Sequence, residues 1–261
     1  MTSPPVSAVI ICFNEEAMIG RCLKSLIWAS EIIVVDAFST DRTADLCTDA
    51  TQPWARKIRF VQKKWESFRL QRNFAIAQAT NDWLLVVDAD EECSPELATR
   101  IGSYFEGGST PPFQAAKVRR VEYFMSKPIH WGIWNPSYQD RFYHRKGVEY
   151  VNDVHEYPIF QSEPARIHEP LHHAPDFGPE KFLTKMVRYT AIEAEDRYRR
   201  GTRTNAFRLV TAFPALFLKN YFYYGAYKDG RHGLVISVLE GVSRAVRHVY
   251  LWKIQLLEGR K

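Results

Sequence analysis

Asp88 and Asp90 stand two residues apart at the end of the run Trp83-Leu84-Leu85-Val86-Val87, with Glu91 directly after them. Two carboxylates at that spacing can hold Mg2+ or Mn2+, hard cations that take oxygen ligands and leave positions open for phosphate oxygens. The chemistry they suggest is the binding of a metal-bound diphosphate. An Asp at a strand end also serves as a cap or turn residue, so the pair gains meaning only from what the chain sets beside it.

An unbroken apolar run reads as a buried parallel strand, and ligands of open α/β sheets collect beyond the carboxyl ends of such strands. Val6–Cys12 reads as a first strand, ending at Phe13-Asn14-Glu15-Glu16, and residues 32–35 as a second, ending at Asp36. Ile19, Cys22, Leu23, Leu26 and Ile27 then mark a helical face, and Ser39-Thr40-Asp41 offers capping oxygens to a helix carrying Ala44 and Leu46. After residues 58–61 comes a third helix, with Leu70, Phe74 and Ala77 on one face and Gln71-Arg72-Asn73 near its start. This β-α-β-α-β-α-β alternation predicts an α/β fold built on a mostly parallel sheet with right-handed crossovers. Asn14, Asp36 and the Asp88/Asp90 pair then converge on one edge of it.

The segments Val-Ile-Ile-Cys-Phe-Asn-Glu-Glu (9–16), Val-Val-Asp-Ala-Phe-Ser-Thr-Asp-Arg-Thr (34–43), Gln-Arg-Asn-Phe-Ala (71–75) and Leu-Val-Val-Asp-Ala-Asp-Glu (85–91), in that order, resemble glycosyltransferase family 2, whose members have the GT-A fold. The resemblance implies transfer of a sugar from a nucleotide-diphosphate donor, such as a UDP-hexose, with inversion at the anomeric carbon. By position, Asn14 and Glu15 fall on the donor side and Asp36 on the uracil or ribose. Arg72 falls near the diphosphate, and Asp88 with Asp90 on the ribose and metal. Phe38 departs from the small or Gly-rich turn that the family carries after its second strand, which bears on the shape of the base pocket.

Composition fits one large domain with an appendage, since 261 residues at 46% apolar content can bury a sizeable core. Cys12, Cys22, Cys47 and Cys93 form no C-x-x-C pair, so reduced thiols inside an α/β core are expected, with no zinc site. Met1-Thr2-Ser3-Pro4-Pro5 lacks the cationic start of a signal peptide, and a cytoplasmic catalytic domain is expected. Neither a G-x-G-x-x-G nor a G-x-x-x-x-G-K-[ST] loop follows the first strand, which sets other nucleotide-binding classes aside.

Charge divides the chain. Residues 1–180 carry 19 Lys/Arg against 24 Asp/Glu, a balance of −5, while residues 181–261 carry 16 against 6, a balance of +10. A basic arm on an acidic body points to an anionic partner. Residues 209–224 interleave the cations with bulky apolar side chains, the composition of an interfacial segment and not of a nucleic-acid arm. The apolar run is short of the about 20 residues that span a bilayer, and Pro214, Lys219 and Asn220 interrupt it. Val235, Val238, Leu239, Val242, Val246, Val249 and Trp252 recur at helical spacing, which suits either a packed helix or an interfacial one.

Between body and arm, residues 117–124 alternate as a strand and lead into His130-Trp131-Gly132-Ile133-Trp134-Asn135-Pro136. Aromatic rings stack on the apolar faces of sugars, so Trp131 and Trp134 are candidates for an acceptor platform, although clustered Trp serves as readily in a core. The segment Arg141-Phe142-Tyr143-His144-Arg145, then Asp153-Val154-His155-Glu156, His173 and a helix bearing Lys185 and Tyr189, is similar to the lipopolysaccharide inner-core branch of the family. So is the arm, in Tyr221-Phe222-Tyr223-Tyr224-Gly225 and Lys228-Asp229-Gly230. This branch implies that Arg141 and His155 lie on the acceptor side. Glu156 is the candidate general base, because Asp90 cannot both hold the metal and face the acceptor; Asp140 and Asp153 stand in reserve. His173 is either a third metal ligand or a loop histidine.

The sequence therefore predicts a catalytic domain over 1–180, its donor half about 1–110 and its acceptor half about 111–180, with a basic amphipathic helical region over 181–261. The expected activity is inverting transfer to a lipopolysaccharide-core or lipid-linked glycan. The expected place is the cytoplasmic face of the inner membrane, as a peripheral protein without a nucleic-acid partner. Transfer to polyprenyl phosphate or another surface polysaccharide is the alternative enzyme reading, and a non-catalytic nucleotide-binding membrane scaffold the alternative outside enzymes.

Overall fold

The structure, a computed structural model, describes residues 3–146, 148–151, 157–174 and 179–258. Its first part alternates β1 (Val6–Cys12), α1 (Ile19–Ser25), β2 (Glu31–Asp36), α2 (Thr43–Thr48), β3 (Ile58–Gln62), α3 (Phe68–Ala77) and β4 (Trp83–Asp88). There follow β5 (Glu91–Cys93), α4 (Pro95–Ser103), β6 (Ala115–Phe124), β7 (Lys127–Pro128), β8 (Ser137–His144), β9 (Glu149–Val151), β10 (Tyr157–Ile159) and β11 (Ala165–His173). The helices α5 (Pro179–Arg199), α6 (Ala206–Leu218) and α7 (Arg231–Glu258) complete the chain.

The large sheet runs in the order β3-β2-β1-β4-β8-β6-β11-β5, with β7 on β6. β1 to β4 are parallel, whereas β8 is antiparallel to both β4 and β6, and β5 to β11. Strand order reverses at β1, whose neighbours are β2 and β4, and such a reversal opens a crevice at the carboxyl ends of the strands. Along each central strand, alternate residues go to opposite faces. Ala8, Ile10, Ile32, Val34, Leu85 and Val87 join Leu23 and Leu26 at one face and Leu97 and Ile101 of α4 beside them. Val9, Ile33, Val35, Leu84 and Val86 meet Ala75 and Ile76 of α3 at the other. Burial on both faces is why these strands read as unbroken apolar runs.

Helix starts follow capping chemistry. Ser67 accepts from the Leu70 N–H ahead of α3, Ser94 from the Leu97 N–H ahead of α4, and Asn205 from the Arg208 N–H ahead of α6. The four cysteines are free and buried. Burial pushes the Cys93 thiol up to about 12, and burial together with the Asp36 charge does the same to Cys47, so they serve as small apolar side chains.

Two compact units emerge: Met1–Val121 with Ser137–Asp176, and Glu122–Pro136 with Phe177–Lys261. Residues 122–136, which the sequence assigns to an acceptor half, are thus built into the helical unit. In that unit α7 is packed on both α5 and α6. Thr190 and Ser243 share a hydroxyl hydrogen bond at 2.9 Å, Arg247 donates to Glu193 at 2.6 Å, and Thr204 pairs with His248 at 2.9 Å. Gly233 lies where a Cβ would fall 1.8 Å from the Ala226 carbonyl oxygen, so only glycine lets the chain pass there.

Candidate active site

The first two βα loops are knitted together by short side chains. Asn14 N–H donates to Ser39 Oγ, and Asn14 Oδ1 accepts from Thr40 N–H, both at 2.8 Å. Glu15 N–H donates to Thr43 Oγ1 at 2.8 Å, and Glu16 N–H to Asp41 Oδ2 at 3.1 Å. Asn14 and Phe38 both have φ in the left-handed region, at 55° and 61°. Asn tolerates that region, but in Phe it is strained by roughly 1–2 kcal/mol, and such strain concentrates at functional loops. The rings of Phe13 and Phe38 both stand more than half exposed at this edge. No assignment of either ring follows from the motifs.

Asp36 is fully buried, and its carboxylate is engaged by the protein. It accepts from Ser39 N–H at 2.9 Å, from Ser39 Oγ, from Gln62 Nε2 at 3.0 Å and from the Cys12 thiol at 3.7 Å. These partners make Asp36 hold the loop after β2 in place, for which the sequence signal was Ser39, three residues on.

Around Asp88 lies a buried ionic network. Arg72, from the first turns of α3, donates to Asp88 Oδ1 at 2.8 Å and lies 5.5 Å over the Tyr150 ring. Arg141 Nη2 donates to Asp88 Oδ2 and, at 2.7 Å, to Glu91 Oε1. Glu91 Oε2 accepts from the Asp88 N–H at 2.9 Å, and Arg120 lies 3.5 Å from Oε1. Burial alone would raise the Asp88 carboxyl, but the Arg141 and Arg72 guanidiniums overcome it and hold it far below the usual carboxylate range. For Glu91 burial wins, and its carboxyl is pushed up against the pull of Arg141 and Arg120.

A β-bulge aims Arg141. Ala116 pairs with Phe142 but Lys117 pairs with Asp140, which leaves Arg141 as the extra residue of β8. The Arg141 side chain is buried, with Nη2 turned toward the Asp88 and Glu91 carboxylates. Asp140, next to it, is half-buried, and its carboxyl is raised by burial despite Lys117 Nζ at 3.8 Å.

Asp90 points elsewhere. Because β5 pairs antiparallel with β11, the chain brings His173 to it, and His173 Nε2 lies 3.1 Å from Asp90 Oδ2. Carboxylate and imidazole together suit a divalent cation, with the remaining positions left to phosphate and water. Asp88, two residues before, pairs with the guanidiniums of Arg72 and Arg141. Among the described residues no group of three or more His, Cys, Asp and Glu gathers to hold a metal. Asp153, His155 and Glu156 lie outside the described residues.

Comparison with known proteins places this arrangement. The sequence profile of Glycosyl transferase family 2 matches residues 7–165. The chain belongs to glycosyltransferase family 2. Among family relatives, the lipopolysaccharide core biosynthesis glycosyltransferase LpsC of Rhizobium meliloti (strain 1021) is 29% identical over 98% of this chain and 95% of its own. An uncharacterized glycosyltransferase of Rickettsia felis is 30% identical over 93% of this chain and 87% of its own. The mannosyltransferase PcManGT of Pyrobaculum calidifontis, solved with GDP-Man and Mn2+, shares the fold at TM-score 0.55 and 14% identity, covering 100% of this chain and 89% of its own. The fold of this family 2 chain is thus the GT-A type, a mixed sheet with flanking helices and a helical C-terminal region.

The helical unit of the family 2 chain holds the Trp131/Trp134 loop in place. Buried Asp229 accepts from the His130 and Trp131 N–H groups at 3.1 and 2.8 Å. Buried Asn220 accepts from the Ile133 N–H at 2.6 Å and donates to Ser237 Oγ at 2.9 Å. Trp134 donates from Nε1 to Glu240 at 2.8 Å, with its ring beside Phe124 and Phe182, so it belongs to the core of this unit and not to an open platform. Trp131 stays exposed, with Lys228 Nζ 3.7 Å over its ring. Asn220 carries no motif signal, being a single polar residue in an aromatic stretch, whereas Asp229 stands in the Lys228-Asp229-Gly230 segment.

Proposed function

We propose that this family 2 enzyme transfers a hexose, with inversion, from a nucleoside-diphosphate donor to a lipopolysaccharide-core or other lipid-linked glycan. The observation that carries the reading is the carboxyl edge itself, where Arg72 and Arg141 fix Asp88 and where Asp90 meets His173 at 3.1 Å. The acceptor class is supported by the likeness to LpsC over nearly the whole of both chains.

In this mechanism Asp88 orients the donor ribose and keeps the two guanidiniums beside the diphosphate. Asn14, Glu15 and the Asp36 loop shape the nucleoside side of the crevice. Asp90 and His173 are the residues that would hold Mg2+ or Mn2+, which when bound neutralises charge on the departing nucleoside diphosphate. Glu156 takes the proton from the attacking acceptor hydroxyl, with Asp140 and Asp153 in reserve and His155 beside it on the acceptor side. Trp131 offers the acceptor a ring face. The protein works as a peripheral enzyme at the cytoplasmic face of the inner membrane. Among the described residues no helix is long and apolar enough to cross a membrane.

A screen of nucleotide-sugar hydrolysis with Mn2+ or Mg2+ tests the reading, because slow hydrolysis of the matching donor needs no acceptor. One sugar nucleotide should be cleaved faster than the rest, and cleavage should fall in Asp90→Ala. Binding without cleavage for every nucleoside-diphosphate sugar would favour the scaffold reading, and absence of both would overturn the nucleotide-sugar donor.

A further inference from the structure

We infer that the outer face of α6 and the π-helical turn after it, residues 219–223, form a docking surface for an anionic lipid bilayer. The inference rests on the membrane-side acceptor reading above and says which face meets the lipid. A soluble helix buries one stripe and shows water a polar one. α6 buries Ala212 and Leu216, and the Phe213 ring lies against Gly241 of α7, yet the opposite side is apolar too. Phe207 is 74% exposed, Val210 77%, Phe222 61% and Tyr223 78%, with Leu218 between them. The spacing 207, 210, 214, 218 keeps them on one stripe of the helix.

Not every aromatic residue of the arm takes part. Phe213, Phe217 and Tyr221 stack ring on ring at 6.0 and 5.6 Å and are only partly exposed, so they stiffen the turn. Beside the exposed stripe, Leu218, Lys219, Phe222, Tyr223 and Tyr224 line an open groove of about 740 Å³. Lys219 Nζ lies 5.3 Å over the Tyr224 ring, which sets a cation at the level of the aromatic belt.

Charge selects the occupant. Residues 203–231 carry Arg203, Arg208, Lys219, Lys228 and Arg231, and Asp229 is their single acid. Asp229 is buried, its carboxylate closed off by the His130 and Trp131 N–H groups, so it shows no charge to a partner. Cations interleaved in sequence with exposed aliphatic and aromatic side chains, and Lys219 beside Tyr224, match a bilayer with acidic headgroups, where apolar groups enter the headgroup region and cations meet phosphate. Nucleic acid would answer the charges and leave Phe207 and Val210 in water.

The test is co-sedimentation of the full chain with vesicles of phosphatidylcholine alone and of phosphatidylcholine with phosphatidylglycerol, at low and high salt. Recovery should be strong with the anionic vesicles, and it should weaken but persist in high salt, because screening removes only the charge contribution. The variant Phe207→Ser/Val210→Ser/Phe222→Ser/Tyr223→Ser should partition about tenfold or more weakly, with its circular dichroism and donor hydrolysis unchanged. Should that variant fold poorly, hydrogen exchange on the unaltered protein gives a second measurement, with amides of 206–224 slowed by anionic vesicles. Equal recovery of parent and variant, no recovery of the parent at low salt, or an apolar-dependent dimer without vesicle binding would each overturn the proposal. Donor hydrolysis is read separately, so loss of the transferase reading is distinguishable from loss of docking.

Discussion

Replacing Arg141 with methionine keeps most of the side-chain volume and removes one guanidinium from between two buried carboxylates. Asp88 keeps Arg72 at 2.8 Å, while Glu91 loses its 2.7 Å partner and keeps Arg120 at 3.5 Å and the Asp88 N–H. Breaking a buried pair by removing one partner costs about 3–5 kcal/mol, and the remaining partners place this site at the lower end, about 3 kcal/mol near pH 8. The loss should depend on pH. Glu91 already has a raised carboxyl, and removal of Arg141 raises it further. A group raised in the folded state stabilises below its unfolded value and loses that contribution as pH rises through the folded one, by at most about 1.4 kcal/mol per pH unit. The deficit of Arg141→Met should therefore be smaller at about pH 5.5 than at about pH 8, because protonation of Glu91 as pH falls removes the stranded charge. Asp88 has the opposite sign: its contribution is present above the ordinary carboxylate range and fades only as the solution becomes strongly acidic. Urea unfolding followed by circular dichroism at the two pH values measures both quantities. Adding Glu91→Gln removes the stranded charge and should recover about half the loss near pH 8 while abolishing its pH dependence. A loss below about 1 kcal/mol at both pH values, typical of exposed pairs, would refute the reasoning.

Three further outcomes are expected. Asp90→Ala should abolish calorimetric Mn2+ binding in the presence of the donor nucleotide while leaving the thermal midpoint unchanged, because a part-exposed strand-end Asp adds little packing; undiminished Mn2+ binding would remove the metal assignment. Glu156→Gln should slow transfer by about a hundredfold or more with donor binding intact, and near wild-type turnover would pass the role to Asp140 or Asp153. Asn220→Ala strands the Ile133 N–H, leaves Ser237 Oγ only its bond to the Gly233 carbonyl and should cost about 1–3 kcal/mol, and Gly233→Ala should cost more because the carbonyl 1.8 Å away is backbone; thermal melts that put both variants level with the parent would contradict the packing described for this unit.

The parallel half of the sheet was legible because each strand is a run of apolar, largely β-branched residues closed by a polar one, and Asn14, Asp36 and Asp88 mark those ends. What Asp36 and Arg141 do there was less legible. Asp36 became a loop anchor because Ser39 and Gln62 reach it, and Gln62 comes from a different strand. Arg141 depends on a one-residue bulge opposite Ala116 and Lys117, and no local pattern announces a bulge. Glu91 was noted only as the residue after Asp90, yet it is fully buried, with Arg141 and Arg120 at its carboxylate. Phe38 was visible as a departure from the family, and the left-handed backbone there gives the departure its physical content. The attachment of residues 122–136 to the helical unit was out of reach, since it rests on single hydrogen bonds from distant residues.

That attachment matters during synthesis. Partners of the 130–134 loop lie 87 to 106 residues further along the chain, at Asn220, Asp229 and Glu240. A nascent chain that has already emitted every strand of the large sheet still has Trp131 and Trp134 without their partners, through the time needed to translate α5 and α6. Contacts of such separation form late and leave apolar surface open to aggregation meanwhile. Deleting α7 would thus remove Glu240 and disturb a loop encoded 106 codons before it.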